Sequence, residues 1–101
     1  MHAEPASAIL SKSIAREVKS TMRLRVRFFS ALRRVTGQSE LDYNFSGRTA
    51  GQLWDDLSQR FPELTPFTES RAIAVNLKHT TPGHVLKEGD EVAFFPPVSG
   101  G

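Results

Sequence analysis

The sequence predicts an α+β domain, one amphipathic helix packed on one face of a mixed sheet of about five strands. Three observations carry that prediction. Strict apolar alternation opens at Met22 and a second strand pattern closes at Phe95. Between them, a capped helical stripe begins at Thr49. Turn-forming clusters then cut the remaining segments into short strands.

Residues 1–21 stand apart from the rest of the chain. They are rich in Ala, Ser and Lys and contain no aromatic residue. Leu10, Ile14 and Val18 recur at i, i+4, i+8, the spacing of a short amphipathic helix. No continuous apolar stretch suggests a secretory signal, and Glu4 and Glu17 weigh against a transit peptide. We expect a mobile extension, or an upstream start with Met22 as the ancestral one, and a domain spanning 22–101.

From Met22, Arg23-Leu24-Arg25-Val26-Arg27-Phe28 alternates with the period of a half-buried strand. Leu24, Val26 and Phe28 take the core side. Three arginines take the other, a solvated face expected to pair with acidic neighbours. Phe29 falls on the arginine side, where an aromatic ring has no core to fill, and is a candidate partner contact.

Ala31 to Val35 suits one or two helical turns closed by Gly37. A second strand is expected at about Glu40 to Phe45. Thr49-Ala50-Gly51-Gln52 reads as a capping box, in which the Thr49 hydroxyl accepts from the Gln52 N–H and the Gln52 side chain reaches back. Leu53, Trp54, Leu57 and Phe61 continue at helical spacing, which assigns Trp54 to the core rather than to a ligand. Pro62 closes the helix. After a Pro- and Thr-rich loop, Ala72 to Leu77 reads as the third strand. Thr81-Pro82-Gly83 is a turn, His84 to Leu86 a short strand, Lys87 to Asp90 a turn, and Glu91 to Phe95 the last strand. The first and last patterns are the strongest, so both belong at the centre of the sheet.

Composition removes several function classes. The 101 residues suit one small domain. There is no Cys, hence no disulfide, thiolate metal site or thiol nucleophile. Thirteen basic residues against 11 acidic leave a net charge of +2, too balanced to argue for nucleic acid. No apolar run approaches a membrane span, and a cytoplasmic protein is expected. His79 and His84 straddle a Pro-Gly turn without a carboxylate at ligand spacing, so no metal site is expected. Neither a nucleophile elbow nor a phosphate-binding glycine loop occurs. Asp55-Asp56 reads as a solvated pair on the polar side of the helix.

The remaining chemistry lies in Phe94-Phe95-Pro96-Pro97-Val98-Ser99-Gly100-Gly101. Pro96 and Pro97 lack N–H groups and end the strand ladder. They favour an extended arm. Gly100 and Gly101 have no Cβ and can thread a narrow channel. From Pro96 to Gly101 the arm reaches on the order of 20 Å. Its carboxylate becomes an acyl donor only after activation, for example as an acyl-adenylate. With no nucleotide site in this chain, a second protein must supply the ATP chemistry.

These residues resemble a known family. Leu86-Lys87-Glu88-Gly89-Asp90-Glu91-Val92-Ala93-Phe94-Phe95-Pro96-Pro97 followed by Val98-Ser99-Gly100-Gly101 is similar to the end of the molybdopterin synthase small subunits, the MoaD-like sulfur carriers. Val26 to Arg33 resembles that family's first strand and turn, and Ala74-Val75-Asn76 also fits. The likeness spans Met22 to Gly101. It implies a ubiquitin-like β-grasp fold, with first and last strands adjacent and parallel. It also implies that the Gly101 carboxylate is adenylated by a ubiquitin-activating-enzyme-like (MoeB-like) adenylyltransferase using ATP, then converted to a thiocarboxylate. In a heterotetramer with the molybdopterin synthase large subunit (MoaE-like), the tail Pro96, Pro97, Val98, Ser99, Gly100 and Gly101 would enter the partner's tunnel. There its sulfur would attack cyclic pyranopterin monophosphate to build the dithiolene. Phe29 and Phe95 would contact the large subunit. The chain itself would bind no cofactor and would not be catalytic alone. Lys78 and His79 depart from the family pattern, where more apolar contact surface is expected. A carrier for thiamin or another thiolated product, a protein modifier joined through Gly101, and an interaction module with an inert tail are the alternatives. Phe-Phe-Pro-Pro disfavours the thiamin branch.

Overall fold

The computed structural model describes residues 21–97. The expectations for the extension before residue 21 and for Val98 to Gly101 lie outside the described residues. Five strands form one sheet: β1 (Met22–Phe28), β2 (Glu40–Phe45), β3 (Ala72–Val75), β4 (Lys78–Thr80) and β5 (Glu91–Phe95), in the spatial order β2-β1-β5-β3-β4. β1 and β5 run parallel at its centre, with Val26 beside Val92 and Phe28 beside Phe94. The other neighbours are antiparallel. This is the ubiquitin-like β-grasp arrangement.

Alternation puts Leu24, Val26, Phe28, Val92 and Phe94 on one side of the sheet, all buried. Helix α2 (Ala50–Arg60) covers them with Leu53, Trp54 and Leu57. Trp54 is fully buried and meets the Phe94 ring edge-on, centroids 5.1 Å apart. Its indole N–H donates to the Thr68 hydroxyl at 2.9 Å, so the polar atom of this core residue is satisfied. Thr49 and Gln52 form the expected capping box. Helix α1 (Ala31–Thr36) ends at Gly37 in the left-handed conformation.

Two expectations are corrected. The third strand stops at Val75 rather than Leu77, because Asn76 and Leu77 both adopt positive φ, 52° and 73°, and turn the chain back into β4. The fourth strand is therefore Lys78–Thr80, and His84 to Leu86 makes only an isolated bridge between Val85 and Thr49. The reason lies in the start of α2, whose first N–H groups have no partner inside the helix. The Ala50 N–H donates to the His84 carbonyl at 2.9 Å, and the Gly51 N–H to the Pro82 carbonyl at 2.8 Å. Closing the helix terminus takes the backbone groups that a sheet ladder would have used. The Pro- and Thr-rich loop also contains a 3-10 helix, Pro62–Phe67, which buries Leu64. A proline near its start suits a position whose N–H needs no partner.

Candidate functional site

The sheet face opposite α2 is where exposed side chains gather, and its layout follows from strand register. Glu40, Arg27, Ala93, Ala74 and His79 are successive neighbours across β2, β1, β5, β3 and β4. Arg25 pairs with Glu40 at 3.1 Å and with Asp42 at 3.7 Å, and Arg27 with Glu91 at 3.4 Å. Two of the three arginines of the stripe thus pair with acidic neighbours, as expected, while Arg23 makes no ion pair among the described residues. The two alanines between Arg27 and His79 leave a shallow trough, walled by Phe29, Phe95 and Leu77.

Phe29 and Phe95 meet in this face. Their rings stack nearly parallel, 7° apart in tilt, with centroids 4.7 Å apart. Such a pair adds about 0.5–1.5 kcal/mol beyond its area burial. Backbone geometry puts Phe29 there. Its N–H donates to the Phe94 carbonyl at 3.2 Å, extending the central pairing by one residue. Ser30, at φ 51°, then swings the chain away into α1. Arg27 stands over the Phe29 ring at 5.1 Å, and the His79 ring lies 6.2 Å from that of Phe95. Phe95 is the last residue of β5, and Pro96 and Pro97 come next without joining a strand. The apolar wall therefore adjoins the root of the tail. Val98, Ser99, Gly100 and Gly101 lie outside the described residues.

Strand periodicity places Leu77 at the end of the third strand. It is 86% exposed, at the tip of the β3–β4 hairpin and on the rim of the trough. A leucine at φ 73° is unusual, since Asn-Gly is the favoured pair for such a turn. Left-handed geometry costs a residue with a Cβ on the order of 1–2 kcal/mol. An exposed apolar side chain held at that cost is a mark of a contact surface. The Asn-Leu pair carried the signal, but a helical or strand period does not reveal it. Leu77 gives the face an apolar side chain at the edge that also carries Lys78 and His79.

Just behind the trough, Asn76 and Asp90 tie the hairpin to the start of β5. The Asn76 amide donates to one Asp90 carboxylate oxygen at 2.9 Å, and the Lys87 N–H to the other at 2.9 Å. The Glu91 N–H donates to the Asn76 side-chain carbonyl at 3.0 Å. Asp90 is buried, so these bonds satisfy a carboxylate that would otherwise be costly there. Among the described residues no group of three or more His, Asp or Glu side chains could hold a metal ion.

Residues 26–101 match the ThiS family from the middle of β1 through Gly101. The chain belongs to the ThiS family. A molybdopterin synthase sulfur carrier subunit of Mycobacterium tuberculosis is 35% identical over 83 residues, covering 79% of this chain and 99% of that relative. Among solved structures, SAMP1 of Haloferax volcanii superposes with a TM-score of 0.68 at 27% identity, over 78% of this chain and 99% of that one. A protein–protein complex of subunits 1 and 2 of molybdopterin-converting factor from Helicobacter pylori contains a chain similar at 26% identity and a TM-score of 0.56. That likeness covers 79% of this chain and all of the other. For this ThiS-family chain, the matched region takes in the stacked Phe29–Phe95 pair and the tail together.

Proposed function

We propose that this chain is the sulfur carrier subunit of a molybdopterin synthase, with Gly101 as the carrier residue. The observation that carries the reading is near-complete coverage of a relative bearing that name, and the family match runs to the terminal Gly-Gly. The geometry supports it. A central strand leads past a stacked aromatic pair into Pro96-Pro97, so a partner seated on the outer face holds the tail at its own surface. Phe29 and Phe95 serve as partner contacts, and Pro96, Pro97, Val98, Ser99, Gly100 and Gly101 enter the partner's tunnel.

The chemistry divides between proteins. A Gly101 carboxylate oxygen attacks the α-phosphorus of ATP on a ubiquitin-activating-enzyme-like adenylyltransferase, and pyrophosphate leaves. A sulfur donor then displaces AMP at the acyl carbon, leaving a thiocarboxylate. In the large subunit, that sulfur is passed to cyclic pyranopterin monophosphate, and hydrolysis restores the carboxylate. Two such rounds supply both dithiolene sulfurs. This chain supplies an unhindered acyl terminus and the docking face. Nucleotide and pterin chemistry belong to the partners, and the chain is not an enzyme alone. No helix among the described residues is long and apolar enough to cross a membrane. A cytoplasmic setting suits the partners' use of ATP.

Intact-mass measurement after incubation with ATP, the adenylyltransferase and a sulfur donor tests this. One oxygen-for-sulfur exchange, mapped to Gly101, is the expected result. An unchanged mass contradicts it. The likeness to SAMP1, one of the small archaeal modifier proteins, supports a second reading as a modifier joined to lysines through Gly101. That reading predicts isopeptide-linked ladders in protein recovered from cells.

A further inference from the structure

The trough on the outer face has unlike ends. At the β1 end, the Arg27 guanidinium is neutralised by Glu91 at 3.4 Å. At the β4 end, His79 is exposed, and its imidazole has no hydrogen-bond or ion-pair partner among the described residues. The carboxylates nearest on this face, Glu40, Asp42 and Glu91, are all engaged by Arg25 or Arg27. The charged and titratable groups around His79 are Arg27 on β1, Glu91 on β5 and Lys78 on β4 itself. β3 contributes none, since Ala72 and Ala74 are its outward residues there. Lys78 lies opposite Val75 and so belongs to the other face, but it adds positive charge to the same edge.

A partner covering this face removes water from the imidazole. A polar group so buried needs a replacement hydrogen-bond partner. The one carboxylate lining the trough, Glu91, is held by Arg27 at the β1 end. The floor beside His79 offers alanine methyls, and the Phe95 ring accepts no ordinary hydrogen bond. The occupant must therefore bring the acceptor. The uncompensated positive edge selects one that carries negative charge. Three strand spacings, about 14 Å, separate β4 from β1. That leaves room for an aliphatic stem on the alanine floor and a charged tip at His79.

Resting on the sulfur-carrier reading, we infer that the large subunit places an acidic side chain, apolar in its stem, along this trough with its carboxylate on His79. His79 is then a specificity-determining residue of the dock and makes docking pH-dependent. Histidine side chains change charge between about pH 5 and 8. The imidazolium binds a carboxylate better than the neutral ring does. The complex therefore strengthens as pH falls through that range and weakens as it rises.

The test is calorimetric binding of the full chain to the isolated large subunit at about pH 8 and about pH 5.5, for wild type, His79→Gln and His79→Leu. Wild type is expected to bind about five-fold more tightly at the lower pH, the scale of one partly exposed ion pair. Both variants lose that difference. Equal pH dependence in wild type and variants, or weaker wild-type binding at low pH, overturns the inference alone. No binding by wild type at either pH overturns the carrier reading with it, and the intact-mass experiment reports on that reading separately.

Discussion

Tyr43 illustrates how single side chains in this fold carry measurable consequences. Its hydroxyl donates to Asp56 at 3.3 Å, linking β2 to α2. Burial, with the Asp56 charge and hydrogen bond, raises its pKa above the usual value of 10.0, while Arg60 opposes the shift. The folded state thus holds the proton more tightly than the unfolded chain does. The resulting stability is full below pH 10.0 and is lost as pH rises through the folded-state value. Chemical denaturation above that pH should show a steeper loss for wild type than for Tyr43→Phe. A parallel decline in the two proteins would contradict the linkage. At the dock, Phe95→Ala should weaken binding to the large subunit by at least about ten-fold. Losing the stack with Phe29 should also lower the melting temperature by several degrees without unfolding the domain at room temperature. Phe29 was legible as an aromatic on the polar face, because it breaks the alternation, while the expectation that Phe95 contacts a partner came from the family resemblance. Their stacking was not legible, since it depends on the parallel register of β1 and β5.

Among the elements, α2 was the most legible, because its cap, its apolar stripe and its closing proline agree with one another. The fourth strand was the least. Both Lys78–Thr80 and His84–Leu86 are three residues long, too short for alternation to choose between them. What decides is the helix N-terminus, which engages the carbonyls of Pro82 and His84. That contact is 30 or more residues distant in sequence and leaves no local trace. The β3–β4 hairpin yields a prediction with two opposed signs. Leu77→Gly relieves left-handed strain and should raise folding stability by about 1 kcal/mol. The same change removes an 86% exposed apolar contact and should weaken partner binding. Denaturant unfolding and binding measured on one preparation would show whether the two move apart. Lower stability together with unchanged binding would remove Leu77 from the docking face.

At the scale of the whole molecule, the sheet separates two tasks. One face packs on α2 and makes the fold; the other carries paired charges, a stacked aromatic pair and an alanine-floored trough. The central strand β5 belongs to both, and its end is the root of the tail. The α+β class followed from strand strength and the single amphipathic helix, and the β-grasp arrangement from the family resemblance. The carrier reading followed from the resemblance of the tail motif to the sulfur-carrier family. The absence of a competing reactive constellation among the described residues only left the tail as the chemistry to explain. Deleting Gly101 tests that reading most directly. The truncated chain, the large subunit, the adenylyltransferase, ATP, a sulfur donor and cyclic pyranopterin monophosphate are combined, and molybdopterin is measured beside the thermal unfolding of the truncated chain. Unchanged unfolding with complete loss of molybdopterin is the predicted result. Molybdopterin formed at the wild-type rate would contradict the assignment of Gly101 as the sulfur carrier.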